Sequence, residues 1–436
     1  MGARTTALAA LIACRKQGAW ADGVLKEYIS RDGLDRREAA LASRLCYGVL
    51  QNRMLLDHHL TQCLNDPMKK LQPVVLDILR LGAYQILFLD KVPVSAAVNE
   101  AGEQGKKYAN RSASGLINGV LRRLAREKDQ LKLPNDPAVR YSHPQALVDL
   151  LRDAVGEDRL EALLASHNEA PQTIVQLNHL AAKPEDTLAQ LQDCGASLTP
   201  HPWLQDAYYL SGGGSLERMP GFLEGAFFVQ DPAARLAVLA AGLQPGMQVL
   251  DCCSAPGGKT FAAAMAMDNR GSITSCDIHP HKIKLIANGA ERLQISICDP
   301  ILQDASEFVP RWEGSMDAVI ADVPCSGLGV IRKKPDIRYK NLDDLSRLPQ
   351  IQRRILENVC RYVKPGGVLL YSTCTILPRE NEEVVRNFLS GHCEFSAEAF
   401  DVPEGLEHAE NCGMLTLLPS VHGTDGFFIC KLRRSS

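Results

Sequence analysis

The chain has 436 residues, 45% of them hydrophobic and 23% charged, which is an ordinary globular composition spread over too much chain for one core, so two or three domains are expected. The formal charge of −3 hides an asymmetry: residues 1–140 carry 22 Lys and Arg against 14 Asp and Glu, and the remainder carries 26 against 37. No apolar run approaches the ~18 residues of a membrane span, and fourteen cysteines without a C-x2-C pair or an apolar leader argue against structural zinc or a disulfide framework and for reduced thiols in the cytoplasm.

Residues 1–135 are predicted to form an all-helical domain. TTALAALIACRKQG, EAALASRLCYGVLQNRMLLDHHL, PVVLDILRLGAYQILFL and SGLINGVLRRLAREK place apolar residues at three- and four-residue spacing. Lys106, Lys107, Arg111, Arg122, Arg123 and Arg126 gather on it. A basic domain beside an acidic body suits a polyanion partner, and equally a solvated helical face. The proline-bearing stretch 131–144 reads as a linker. Residues 141–230 follow as a small α+β subdomain, with helices at HPQALVDLLRDAV, EDRLEALLASHN and 184–193. Its β-like pieces are TIVQLN (173–178), DAYYLSGGGS and GAFFVQD.

From 231 to 436 strand and helix alternate, which predicts a parallel sheet covered on both faces in a Rossmann-like α/β domain. The expected strands are QVLDCC (248–253), SITSCDI (272–278), ISIC (295–298), AVIADVP (318–324), GVLLYSTC (367–374) and GFFICKL (426–432). Ligands of such sheets bind beyond the carboxyl ends of the strands. That edge is expected to hold the loop after the first strand, Asp277 after the second, and Asp304 or Asp299 near the third. Asp322 and Cys325 follow the fourth strand and Cys374 the fifth.

The first loop, DCCSAPGGKT, opens a helix with Gly257 and Gly258, which admit close backbone approach. It has GKT but Cys253 where a P-loop needs glycine, and no G-x-G-x-x-G. It therefore suits a ligand with a ribose and no pyrophosphate, whose hydroxyls Asp277 is placed to grip. The alternative for Asp277 is a cap on the following helix. Free cysteines are commonly core residues. Cys325 and Cys374 stand apart because both follow buried strands at the ligand edge, where a thiolate is a nucleophile and a leaving group.

DCCSAPGGKT, DVPCSGLGVIRKKPD and YSTCTILPRENEEVV, with FFVQDPAA (227–234) and DGFFICKL, resemble the motifs of RNA cytosine-C5 methyltransferases. RLCYGVLQNR, LRLGAYQILFLDKVP and GLINGVLRRL resemble the NusB-like RNA-binding domain of the Sun/RsmB branch, which methylates small-subunit ribosomal RNA. The resemblance implies a NusB-like domain and a class I methyltransferase domain using S-adenosylmethionine. Cys374 is then the nucleophile toward C6, Asp322 the partner of N3 and the exocyclic amine, and Cys325 the residue that assists C5 proton removal and release. Cys253, Ser254, Ala255, Pro256, Gly257, Gly258 and Lys259 would hold the methionine moiety, Asp277 the ribose, and Asp304 in preference to Asp299 the adenine. No metal is implied.

The implied partner is 16S ribosomal RNA in an unassembled or partly assembled subunit, met by a monomer, with IRKKP (331–335) on phosphates or simply solvated. One departure stands out: Gln176 in VQLN replaces a family Arg that would touch phosphate. Other readings are the same chemistry on transfer RNA or another RNA, and a non-enzymatic NusB-like regulator. A nicotinamide oxidoreductase is disfavoured by the missing dinucleotide fingerprint.

Overall fold

The computed structural model describes residues 2–406 and 412–436. The chain forms two compact units, Met1–Glu169 with Ile331–Leu342, and Ala170–Val330 with Asp343–Ser436. Residues 141–169, read with the small subdomain, and 331–342, read with the catalytic part, thus belong to the first unit.

The first unit is helical: α1 (Ala3–Gln17), α2 (Ala21–Arg31), α3 (Arg36–Cys63), α4 (Pro73–Phe88), α5 (Val94–Tyr108), α6 (Arg111–Glu127), the short α7 (Pro137–Arg140), α8 (Gln145–Val155) and α9 (Glu157–Ser166). The three- and four-residue spacing of Leu45, Val49, Leu56, Leu60, Ile78, Leu81, Ile117, Leu121 and Leu124 turns one stripe of each helix into a shared core. Asp35 and Asn110 cap α3 and α6 through backbone N–H groups of Glu38 and Ala113. Lys106, Lys107, Arg111, Arg122 and Arg126 are exposed on α5 and α6; Lys106 pairs with Glu103 at 2.6 Å, and Arg123 and Arg126 share Glu127 at 3.0 and 2.9 Å.

The segment 331–342 is clamped into this unit by Arg338, buried at 1% exposure. Its guanidinium donates to the carbonyls of Gln51 (2.7 Å), Tyr141 (3.0 Å) and His167 (2.9 Å) and to Asn168 Oδ1 (2.6 Å). Burial pulls the guanidinium down to about 10. Ile331, Arg332 and Pro335 are buried and Lys334 is exposed, so only part of IRKKP is at the surface.

The second unit carries two sheets. The smaller has order β2-β3-β1-β4, antiparallel throughout: β1 (Thr173–Leu177), β2 (Ala196–Pro200), β3 (Ala207–Gly212) and β4 (Phe227–Val229), with α10 (Pro184–Asp193). Gln176 sits in the middle of β1, 3% exposed. Its side chain is thus buried within the small sheet. Asn178 of the same motif donates to the carbonyls of Gly225 and Leu293, both at 2.9 Å, and so ties this sheet to the larger one.

The larger sheet runs β10-β12-β9-β8-β5-β6-β7, with β11 beside β12. Its strands are β5 (Gln248–Asp251), β6 (Ser272–Asp277), β7 (Cys298–Leu302), β8 (Met316–Asp322), β9 (Val363–Thr373), β10 (Phe395–Ala397), β11 (Met414–Leu417) and β12 (Phe427–Arg434). β5 to β9 are parallel; β10 to β12 pair antiparallel, so the sheet is mixed. The third strand lies at 298–302 and not at 295–298. It is an edge strand, where Pro300 is tolerated because one side needs no ladder bond.

Strand alternation divides the core. Ala318, Ile320, Val368 and Leu370 face α11 (Pro232–Ala241), α12 (Gly258–Ala266) and α13 (Pro280–Arg292). Val319, Ala321, Leu369 and Tyr371 face α14 (Leu348–Val359) and α15 (Glu382–Gly391). Among the described residues, no helix is long and apolar enough to cross a membrane.

Candidate active site

The five parallel strands end at one edge and deliver Asp251, Asp277, Asp304, Asp322 and Cys374 to it. β8 and β9 are neighbours, with Asp322 in register with Ser372. The loops that leave them therefore start side by side, and Cys325 Sγ and Cys374 Sγ lie 3.2 Å apart. Both thiols are partly exposed. Val323 N–H donates to Ser372 O (3.1 Å) and Gly329 N–H to Cys374 O (3.0 Å), which lace the two loops together. Gly329 must be glycine: a Cβ there would sit 1.8 Å from the carbonyl oxygen of Gly426.

The thiols are electrostatically unlike. The hydrogen bond from Cys325 holds Cys374 below the ordinary thiol range, against burial, and the Lys259 charge adds to this. The same bond, burial and the Glu380 carboxylate push Cys325 well up. Cys374 is the better thiolate and Cys325 the retained thiol.

Asp322 is held on both oxygens. Oδ1 accepts from Ser372 Oγ at 2.8 Å, and Oδ2 faces Lys259 Nζ at 2.6 Å. Lys259 Nζ also lies 4.8 Å from the Phe427 ring centroid. Lys259 was read as part of the cofactor loop; its ammonium in fact turns to the aspartate beside the two thiols. Sequence reasoning gave no role to Ser372, although it stands near the end of β9, two residues before Cys374.

The loop 252–258 is pinned by Ser254, whose N–H and Oγ both donate to Cys276 O (2.8 and 3.0 Å). Gly257 adopts φ +110 at the start of α12, a conformation that disfavours other residues. Beneath the loop Asp251 is fully buried, accepts from Thr260 Oγ1 at 2.7 Å, and is pushed up to about 7 by burial.

Asp277 ends β6 at 7% exposure. Its Oδ1 accepts from His279 N (3.0 Å) and Oδ2 faces Lys282 Nζ at 3.4 Å, so it shapes the turn into α13 as well as facing the edge. Beside it, Ile278 and Leu302 are 55% and 53% exposed, and Leu302 pairs with Asp277 in register. Two exposed aliphatic side chains flanking a carboxylate and a helix N-terminus fit a nucleoside carrying a carboxylate, with apolar faces for the base and an acceptor for the ribose. Asp304 lies just past the end of β7 and turns Oδ1 onto Ser306 N and Oγ, both at 2.8 Å. Asp299 lies near the start of that strand, in register with Thr274. Among the described residues, no cluster of His, Cys, Asp and Glu is arranged for a metal ion.

Residues 238–433 match the family described as 16S rRNA methyltransferase RsmB/F, residues 1–126 the NusB family, and residues 143–217 the RsmF/B-like ferredoxin-like domain. A Bacillus subtilis protein named "Probable ribosomal RNA small subunit methyltransferase B" is 36% identical over 99% of this chain and 98% of its own. The chain belongs to the RsmB/F methyltransferase family. A Vibrio cholerae ribosomal RNA small subunit methyltransferase B is 34% identical over 91% of this chain and 90% of its own. A methyltransferase homologue from Pyrococcus horikoshii superposes with TM-score 0.60 at 26% identity, over 69% of this chain and 98% of its own. The crystal structure of PH0851 gives TM-score 0.80 at 25% identity over 98% of both chains. The protein is therefore a methyltransferase of the family that methylates ribosomal RNA at cytosine C5, with NusB-like, ferredoxin-like and methyltransferase parts.

Proposed function

We propose that this enzyme methylates C5 of one cytosine of 16S ribosomal RNA in the cytoplasm, as a monomer acting on unassembled or partly assembled small subunits. The observation that carries the chemistry is the pair of thiols 3.2 Å apart beside a doubly held aspartate. The 16S target rests on likeness to proteins of that name over nearly the full chain, and the exposed basic residues of α5 and α6 suit phosphate contacts that position RNA.

The Cys374 thiolate adds to C6 of a cytosine that is unpaired or flipped from its stack. The S–C6 bond forms and the C5=C6 π pair moves onto C5, delocalised through C4 toward N3, which makes C5 nucleophilic. Asp322, oriented by Lys259 and Ser372, contacts N3 and the exocyclic amine and offsets the charge that develops there. Loop 253–259 with Asp277 and Asp304 would hold S-adenosylmethionine, which when bound supplies an electrophilic methyl group. After methylation C5 carries both a methyl and a proton. Cys374 is now a thioether and no longer competes for the Cys325 proton. Cys325 gives that proton to solvent, and its thiolate takes the proton from C5; the C5–H electron pair re-forms the C5=C6 bond, and the C6–S bond breaks with its pair leaving on Cys374 as thiolate.

The test is methyl transfer to a 16S transcript, with bisulfite sequencing to locate the product. Cys374→Ala should give no product and no covalent complex. Cys325→Ala should accumulate a protein–RNA adduct that survives denaturant. Normal turnover by Cys374→Ala would overturn the assignment, as would modification confined to transfer RNA for the target.

A further inference from the structure

Near the two thiols lie two fully buried polar side chains that the mechanism above does not use. Glu380 and Gln352 are both 0% exposed. Glu380 Oε2 accepts from Ser326 N at 2.9 Å and from Gln352 Nε2 at 3.0 Å. Gln352 Nε2 sends its other hydrogen to Pro324 O at 3.0 Å. The peptide before Cys325 is held through its carbonyl and the peptide after it through its N–H. These two planes set φ and ψ of Cys325, and hence the direction in which its thiol leaves the chain.

The bracket is joined to the other thiol. Ser326 Oγ donates to Thr375 Oγ1 at 2.7 Å, and Asn381 Nδ2 holds Thr375 O at 3.0 Å. Tyr371 Oη donates to Glu380 O at 2.6 Å, which anchors the glutamate to β9. Among the described residues Glu380 forms no ion pair, and its Oε1 and Gln352 Oε1 have no hydrogen-bond partner. Burying a carboxylate on these terms is costly, and two apolar side chains would fill the space more cheaply. What they could not do is hold both flanking peptides of Cys325.

We propose that Glu380 and Gln352 are positioning residues for Cys325, a buried pair that aims its thiol at C5 of the methylated cytosine and so sets the rate of adduct release. This rests on Cys325 serving release, as proposed above. Binding of RNA and attack by Cys374 do not depend on the pair; resolution of the adduct does.

The test uses the full-length protein, a 16S transcript and a tritiated methyl donor, with Cys325→Ala run alongside. Glu380→Ala and Gln352→Ala should lose about tenfold or more in kcat, with kcat/KM for RNA within about twofold, because binding and attack are kept while release by a misdirected group is slowed. Both should build up the denaturant-resistant adduct. Glu380→Gln should recover most of the turnover, because both bonds converge on Oε2 and one carboxamide oxygen can accept them. If Glu380→Ala does not fold, Gln352→Ala carries the test: it removes the contacts to Pro324 O and to Glu380 and leaves the bond from Ser326 N to Glu380 in place. Wild-type turnover without adduct in Gln352→Ala and folded Glu380→Ala, while Cys325→Ala traps adduct, overturns the positioning role and leaves that of Cys325 standing. No adduct from Cys325→Ala overturns both.

Discussion

Replacing Lys259 by Met removes the cation facing Asp322 and keeps the length of the side chain. At 2.6 Å two unit charges attract by about 6 kcal/mol for an effective dielectric near 20. Asp322 retains solvent contact, its side chain being 30% exposed, and keeps the bond from Ser372. These return roughly half, leaving a loss of about 3 kcal/mol, the lower end for breaking a buried pair. If that loss falls on the transition state, kcat drops by about two decades. The pH dependence has a definite sign. The Lys259 charge lowers the Cys374 thiol, so its removal raises that thiol; the thiolate exists above the pKa, so the rising limb of activity moves to higher pH. The deficit should be larger at neutral than at alkaline pH. Single-turnover methyl transfer to a 16S transcript across pH, with the KM of the methyl donor measured in parallel, is the assay. An unchanged kcat with a raised KM for the donor would place Lys259 on the cofactor and refute the reasoning.

Asp277→Asn keeps an oxygen for the His279 N–H and loses the charge, so the fold should persist while calorimetric affinity for S-adenosylhomocysteine falls about tenfold; unchanged affinity would make Asp277 a turn residue only. Arg338→Met strands the carbonyls of Gln51, Tyr141 and His167 and should cost about 3 kcal/mol of stability in urea unfolding; a change near zero would show that the clamp contributes nothing. Diamide, which takes the two electrons and two protons of a dithiol, should link Cys325 to Cys374 and abolish activity reversibly by dithiothreitol. Mass spectrometry would locate the link, and free thiols at both positions after full inactivation would contradict their proximity.

Local pattern alone carried the architecture. Apolar spacing at three and four residues gave the helices of the first unit, and alternating strand and helix gave the parallel core of the larger sheet. Each is a periodicity that a short window contains. The strands missed, 196–200, 395–397 and 414–417, are short, lie toward sheet margins and bury little. The third parallel strand starts three residues later than expected, at Cys298, and runs through Pro300, which an edge strand admits.

The sequence by itself determined which residue types reach the ligand edge: a cysteine after each of two strands, an aspartate at the end of β8, a glycine loop and Asp277. Right-handed crossovers constrain the connections between parallel strands, but the order of the strands, with the antiparallel β12 set between β10 and β9, comes from the fold. Only the tertiary structure decided how these groups pair. Lys259 meets Asp322 across 63 residues, Cys325 meets Cys374 across 49, and Glu380 reaches Ser326 across 54. Such contacts depend on strand order and on loop geometry, and no window of sequence contains both partners. The same reason hid the clamp at Arg338: an arginine after a basic run reads as surface until the acceptors that surround it, brought from three distant segments, are in place.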